Sequence, residues 1–333
     1  MEKIFHKTNA SIWFGLAAGI LYGALARIGF TYNRFKDSWS LMTLGFIFFV
    51  PLALGILTVY YGEKERKRSW PYRIFTPWVP CLILMLAAFL IGWEGSICIL
   101  MALPIFLIMS SLGGVIAALI FQTKRHQQNN FPLVIFFAAL PFVSASIENQ
   151  FRLPQSVRMV ETQITINASP QIAWRNIERV REIKQNEQKN SLFQLLGFPR
   201  PIEATLSHEG LGGVRHASFA GGVLFVETIT KWEPEKELNF SIKADTASIP
   251  PTTLDEHVTV GGPYFDVLEG SYRIETLSNE QVVLRLSSKH RLSTRFNFYA
   301  GWWTDYIMRD IQENILGIIK DRCESQALKG ETP

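Results

Sequence analysis

The densest group of ionisable side chains in the second half of the chain is Asp255-Glu256-His257. It lies in a long connection, Asp245 to Pro263, that includes Pro250 and Pro251. An imidazole beside two carboxylates can move protons near neutral pH. The three therefore suit a general acid–base pair or a ligand contact at a pocket mouth, with a solvated loop as the plainer reading. His208, Glu209 and His216 flank a glycine-rich turn. Two imidazoles and a carboxylate are zinc ligands by type, but their spacing is not diagnostic. Arg285, Lys289, His290, Arg291 and Arg295 bring positive charge to the last strand-like segment and the entry of the helix that follows, some of them alternating with Leu284, Leu286 and Leu292. This pattern fits a strand with a wet outer face, or a site for anionic lipid headgroups. Cys81, Cys98 and Cys323 show no CxxC spacing, so neither a disulfide framework nor a zinc site is indicated. No catalytic set, metal or cofactor is predicted.

Something must position these groups, and the strongest element is the stretch Phe296–Glu324. Trp303, Ile307, Ile311, Ile315, Ile318, Ile319 and Arg322 recur at helical spacing, while Tyr306, Asp310, Glu313, Lys320 and Asp321 occupy the rest. Such a helix must bury its stripe against another layer. Upstream, Val157–Ile166 alternates as a strand and Asn167-Ala168-Ser169-Pro170 starts a short helix, with Ser169 as cap and Pro170 in the first turn. A second helical piece is predicted over Asn190–Leu196. Strand signals follow at Ile202–Ser207, Val214–Phe219, Val223–Trp232, Leu238–Ala244, Tyr264–Leu277 and Val282–Leu292, separated mostly by turn residues. Short links favour an antiparallel meander, with the last helix on its concave face.

That order resembles the helix-grip fold of the START-like (SRPBCC) superfamily, in particular its polyketide cyclase/dehydrase and lipid-transport-like members. The resemblance covers roughly Val157 to Glu324 and rests on ITINASPQIAW with Trp174, TKWEPEKELNFSI, FDVLEGSYRIETL and the final helix. It implies an α+β domain over 157–326 with a deep apolar pocket between sheet and helix, used for lipids, sterols, polyketides or other hydrophobic molecules. None of the four segments is a catalytic signature. Trp303, Trp302, Tyr299, Phe298, Ile307, Tyr264 and His257 are the residues expected around such a ligand. The aromatic start of the helix could also close the pocket mouth or dip into a membrane interface. Leu192, Phe193, Leu195, Leu196 and Phe198 form a second apolar cluster with similar options.

The first half reads differently. Five apolar runs, 10–30, 41–61, 76–93, 96–121 and 131–147, approach or exceed the length needed to cross a bilayer. They make residues 1–148 a multi-pass α-helical domain, joined by a connector, 149–156, to the second domain, with a tail at 327–333. Nine Lys and Arg fall on one side of these runs and five on the other. This bias puts the N-terminus in the cytoplasm and the C-terminal domain outside it, in a bacterial inner membrane. Gly15, Gly19 and Gly23 form a small-residue face that packs within the bundle or makes a homo-oligomer. The predicted spans hold no central Asp, Glu, Lys or His, which suits an anchor better than a transporter.

The net charge of +4 is too small to argue for nucleic acid. The leading reading is a membrane-anchored domain that binds a hydrophobic ligand, such as a lipid, rather than an enzyme. The alternatives are a cyclase or hydrolase of a hydrophobic substrate, and a membrane scaffold or interaction protein.

Overall fold

The computed structural model describes residues 2–31, 40–62, 69–122, 131–188, 197, 199–245 and 260–329. The chain divides into two compact units, Met1–Leu153 and Pro154–Pro333.

The first unit is helical: α1 (Glu2–Thr31), α2 (Val50–Tyr60, preceded by a π-turn over Gly45–Phe49), α3 (Trp70–Phe75), α4 (Trp78–Ile91), α5 (Ser96–Gln122) and α6 (Phe131–Glu148). Among the described residues three stretches, Ile12–Thr31, Trp70–Ile91 and Ser96–Leu119, are long and apolar enough to cross a membrane; Gly45–Tyr60 and Pro132–Glu148 are shorter apolar helices. The Gly15, Gly19 and Gly23 face is occupied inside this unit. A Cβ on Gly15 would strike the Thr58 carbonyl, one on Gly19 the Thr58 hydroxyl, and one on Gly23 the Leu84 side chain. A homo-oligomer through that face would have to open this packing. A second close seam joins α2 to α5, where Cβ atoms on Gly55 and Gly113 would strike Ser110 and Leu52 carbonyls. The Glu148 carboxylate ends α6 by accepting from the Leu44 and Gly45 amides at 2.8 and 2.9 Å. At the C-terminal end of α1, Arg27 reaches Glu94 at 2.7 Å.

The second unit is an antiparallel sheet in the order β1-β7-β6-β5-β4-β3-β2, with a long final helix. Its strands are β1 (Ser156–Ile166), β2 (Pro201–Leu206), β3 (Val214–Phe219), β4 (Leu224–Glu233), β5 (Glu237–Ala244), β6 (Phe265–Ser278) and β7 (Gln281–Leu292). The helix α7 (Pro170–Glu178) follows β1, and α8 (Asn297–Leu328) ends the fold. Pro170 opens α7, and the Ser169 hydroxyl accepts from the Ile172 amide at 3.4 Å. Strands β2 to β7 run as a meander, and β1 pairs with β7 along its whole length. This curled sheet with a long C-terminal helix fits a helix grip. The strand predicted from Tyr264 begins one residue later, at Phe265, and the helix predicted to stop at Glu324 continues to Leu328. The predicted piece Asn190–Leu196 lies outside the described residues, as do Phe198 and Asp255-Glu256-His257.

The main core joins Ile166, Trp174, Ile177, Leu238, Leu284, Leu316 and Ile319 among others, so it lies between the sheet, α7 and the later part of α8. Trp174 meets Trp232 edge to face, with ring centroids 5.0 Å apart. A smaller cluster of Val160, Val260, Val267 and Met308 fills the space nearer the start of α8. Ile242 packs against both clusters. The buried row of α8 carries more polarity than the isoleucine stripe implies. Ile307, Ile318 and Ile319 are buried, but so are Thr304, Gln312 and Asn314.

Gln312 explains how one such group is tolerated. Its amide donates to the Val160 carbonyl at 3.0 Å and to the Ser288 hydroxyl at 2.9 Å. Its oxygen accepts from the Thr162 hydroxyl at 2.7 Å. A fully satisfied amide inside a core fixes register, because sliding the helix would strand every partner. Arg322 ties the far end: its guanidinium holds both Glu187 oxygens, at 2.7 and 2.9 Å, and the Arg181 and Glu182 carbonyls. That pairing holds the Glu187 carboxyl down at about 2, against burial. Replacing Gln312 by Ala leaves a cavity and unpaired partners, so Gln312→Ala is expected to cost about 2–4 kcal/mol. Thermal melts of the full chain should show a fall of roughly 5–10 °C.

Candidate functional site

Two polar stations stand on the inward face of the sheet. The first is a cross-strand pair. Arg215 of β3 is directly opposite Glu227 of β4, and both side chains point inward because Ala217 and Ile229, two residues on, are also buried. Arg215 is 2% exposed and approaches the Glu227 carboxylate at 3.3 Å. Its guanidinium carbon sits 5.0 Å from the Phe240 ring centroid and 6.0 Å from that of Tyr272. Phe240 can lie flat there because its cross-strand neighbour is Gly270, where a Cβ would press into the ring at 2.5 Å.

The pair is poorly satisfied. Arg215 Nε and Nη1 and Glu227 Oε2 are buried and make no well-formed hydrogen bond among the described residues. Burial pushes the Glu227 carboxyl up, with the Arg215 charge opposing it. Burial also pushes the Tyr272 phenol up to about 12, beside the same guanidinium. An aromatic cradle around a desolvated ion pair is costly unless further hydrogen bonds complete it. The chemistry such a group offers is recognition of one polar group on an otherwise apolar guest.

The second station lies where β1, β7 and the start of α8 meet. Arg158 of β1 and His290 of β7 are register partners and share the inward face. Arg158 grips Asp305 of α8 in a forked contact, one arm at 2.9 Å from Nε to Oδ1 and the other between Nη2 and Oδ2. Gly301, one turn earlier, lies against the guanidinium; a Cβ there would come within 3.0 Å of it. The His290 ring is fully buried, with Nε2 3.5 Å from Asp305 Oδ1 and its centroid 5.6 Å from that of Phe265. Neither ring nitrogen makes a well-formed hydrogen bond among the described residues. Burial lowers the tendency of His290 to protonate; Asp305 opposes this and Arg158 adds to it.

Several sequence expectations take a definite place. Ile307 is buried, and Trp303 is half-buried with its ring near those of Tyr299 and Trp302, at 6.5 and 5.9 Å. Phe298 and Trp302 face outward, 75% and 70% exposed, because neighbours on a helix are turned about 100° apart and the 298/302 and 299/303 rows cannot share one side. Tyr264 is half-buried just before β6, and its carbonyl accepts from Ser293 at 2.8 Å. His257 falls outside the described residues.

The basic row on β7 divides by strand alternation. Arg285 and Lys289 face outward and pair with Glu275 at 3.2 Å and Glu269 at 3.1 Å. Arg291 donates to the Gly262 and Pro263 carbonyls. His290, grouped with these cations in the sequence, belongs instead to the interior. His208 and His216 are both exposed, with Glu209 turned to Arg179 at 3.4 Å. No three potential metal ligands converge among the described residues. Arg158, Arg215, Glu227, Tyr272 and Asp305 escaped the sequence reading. The available signal was period two, since Arg215 shares parity with Ala217, and Glu227 with Phe225 and Ile229.

No family model and no curated protein matches the chain. Solved structures with a similar path are the protein XoxI from Bacillus cereus, norcoclaurine synthase from Thalictrum flavum and a START superfamily protein from Mycobacterium smegmatis. Their identities are 15%, 12% and 11%, and they cover 53%, 54% and 50% of this chain. The matches span 99%, 91% and 97% of those chains, with TM-scores of 0.29, 0.33 and 0.33.

The histidine gives a pH test. With its folded pKa below the ordinary value of 6.5, His290 stays neutral in the fold while the unfolded chain takes up a proton. Its contribution is therefore present above about 6.5 and lost as pH falls toward the folded value. Melting temperatures should drop below that pH in the native chain, and His290→Leu should flatten this part of the profile.

Proposed function

We propose that the C-terminal unit is a START-like binding domain for a hydrophobic ligand that carries one polar group. The single observation behind this reading is the Arg215–Glu227 pair on the inner wall, its guanidinium beside the Phe240 and Tyr272 rings, with Arg215 Nε and Nη1 and Glu227 Oε2 lacking a well-formed hydrogen bond among the described residues. A guest hydroxyl, carbonyl or carboxylate would complete those hydrogen bonds, while burial of its apolar body supplies most of the affinity, at roughly 25 cal/mol per Å². In this reading the N-terminal helices span a membrane and anchor the domain, which a lipid or another membrane-soluble ligand would suit. The bias of Lys and Arg favours the outer side of a bacterial inner membrane for the C-terminal unit.

The fold and the ligand can be separated experimentally. Replacing both partners, as Arg215→Met with Glu227→Leu, removes the polar station without leaving a lone buried charge, so stability should stay level or rise. Purified native protein, extracted with organic solvent, should release a hydrophobic compound detectable by mass spectrometry, and the double variant should release several-fold less. Equal yields from both, or none from either together with failure to bind an apolar fluorescent probe, would refute the assignment. A reporter active only outside the cytoplasm, fused after Pro333, should be active; an inactive fusion with a cytoplasmic reporter active instead would reverse the orientation.

A further inference from the structure

The outward face of α8 carries Phe298, Trp302 and Tyr306, four residues apart, at 75%, 70% and 53% exposure. On a helix this spacing makes one continuous stripe, here about 12 Å long. Exposed Arg309 and then Glu313 continue the same face, so the stripe passes from aromatic to charged along the helix. Val157 and Met159, at 58% and 71% exposure, add apolar surface to the outer side of β1, the strand that Asp305 grips through Arg158. None of this surface serves the inward stations.

What could cover it is limited by where the chain comes from. The Asn297 amide donates to the Pro154 carbonyl at 2.9 Å, and the Asn297 oxygen accepts from the Thr294 amide at 2.7 Å. The first turn of α8 is thus tied to a residue only six positions after Glu148, the end of the apolar helix α6. Six residues of extended chain reach at most about 20 Å. Phe, Trp and Tyr with an arginine beyond them are the side chains that settle at the boundary between headgroups and acyl chains, the ring bodies inward and the cation outward.

We infer that the Phe298–Trp302–Tyr306 stripe docks the C-terminal unit onto the bilayer interface, its rings inserted at headgroup depth and Arg309 among the phosphates. The inference rests on reading the N-terminal helices as membrane spans, and it is independent of the interior ligand. Docking would hold the start of α8, and the Arg158–Asp305–His290 station behind it, at the surface from which a hydrophobic ligand would arrive.

The test uses the full chain in phospholipid nanodiscs. Cys81, Cys98 and Cys323 are replaced by Ala, and an environment-sensitive fluorophore is attached at Trp302→Cys, at Glu313→Cys, or at Leu86→Cys as a control on the exposed side of α4. Lipids with a quencher in the acyl chain should quench the label at 302 roughly three-fold or more above that at 313, and aqueous iodide should show the reverse order. A label at 302 open to iodide while 86 is quenched from the lipid overturns docking and leaves the span reading intact. If 86 is also open to iodide, the span reading fails and docking with it. Shielding of 302 from both quenchers, appearing only with two copies in each disc, would mean the stripe binds a second copy and overturns the inference. Should the cysteine-free chain not fold, a photoreactive benzoylphenylalanine placed at Phe298 in the otherwise native chain gives the same answer. Crosslinks to lipid support docking, and crosslinks only to protein or none overturn it.

Discussion

A helix laid along the inside of a curled sheet has to accept whatever that inner face carries, and in this protein the face carries charge. Most of the grip is ordinary apolar packing, with Leu284, Leu316 and Ile319 among the residues that close it. Set into the interface between sheet and helix are two ion pairs, a buried imidazole and a buried amide. Each is tolerated to a different degree. Gln312 has partners for both its amide groups, so it contributes register as well as cohesion. Arg158 and Asp305 satisfy one another in a forked contact that positions the start of α8. Arg215 Nε and Nη1 and Glu227 Oε2 lack a well-formed hydrogen bond among the described residues, so this pair is the least satisfied of the set.

The polar groups are also graded along the helix. From Leu316 onward α8 rests on the larger core, and Arg322 clamps its end to the chain around Glu187. Toward its start α8 meets the smaller cluster of Val160, Val260, Val267 and Met308, together with the charged contacts of Asp305. The later part of α8 therefore serves as the fixed end of the grip. The earlier part carries Asp305, which holds Arg158 on the inward side, and the exposed aromatic stripe on the outward side.

The helical unit follows a different rule, because its helices approach through absent side chains. Gly15, Gly19 and Gly23 admit α2 and α4 against α1, and Gly55 with Gly113 does the same between α2 and α5. The glycine repeat of α1 was visible in the sequence because it is regular. The second seam was not, since it joins single glycines from two distant segments that only packing brings together.

Read alone, the sequence determined the elements of this protein. Alternation on β7, the Ser169-Pro170 helix start, the glycine turns and the final amphipathic helix are local patterns, and local patterns survive without tertiary context. It also determined the apolar character of the first half, which is a property of composition. Only the tertiary structure decided which charged residues turn inward. His290 lies among cations in the chain yet faces the interior, because strand pleating sends neighbours to opposite sides. Arg215 and Glu227 meet because β3 and β4 pair at one register, and Arg158 finds Asp305 across 147 positions of sequence. Such contacts depend on register and on the seating of α8, which are set by many weak interactions together, and no single stretch of sequence encodes them.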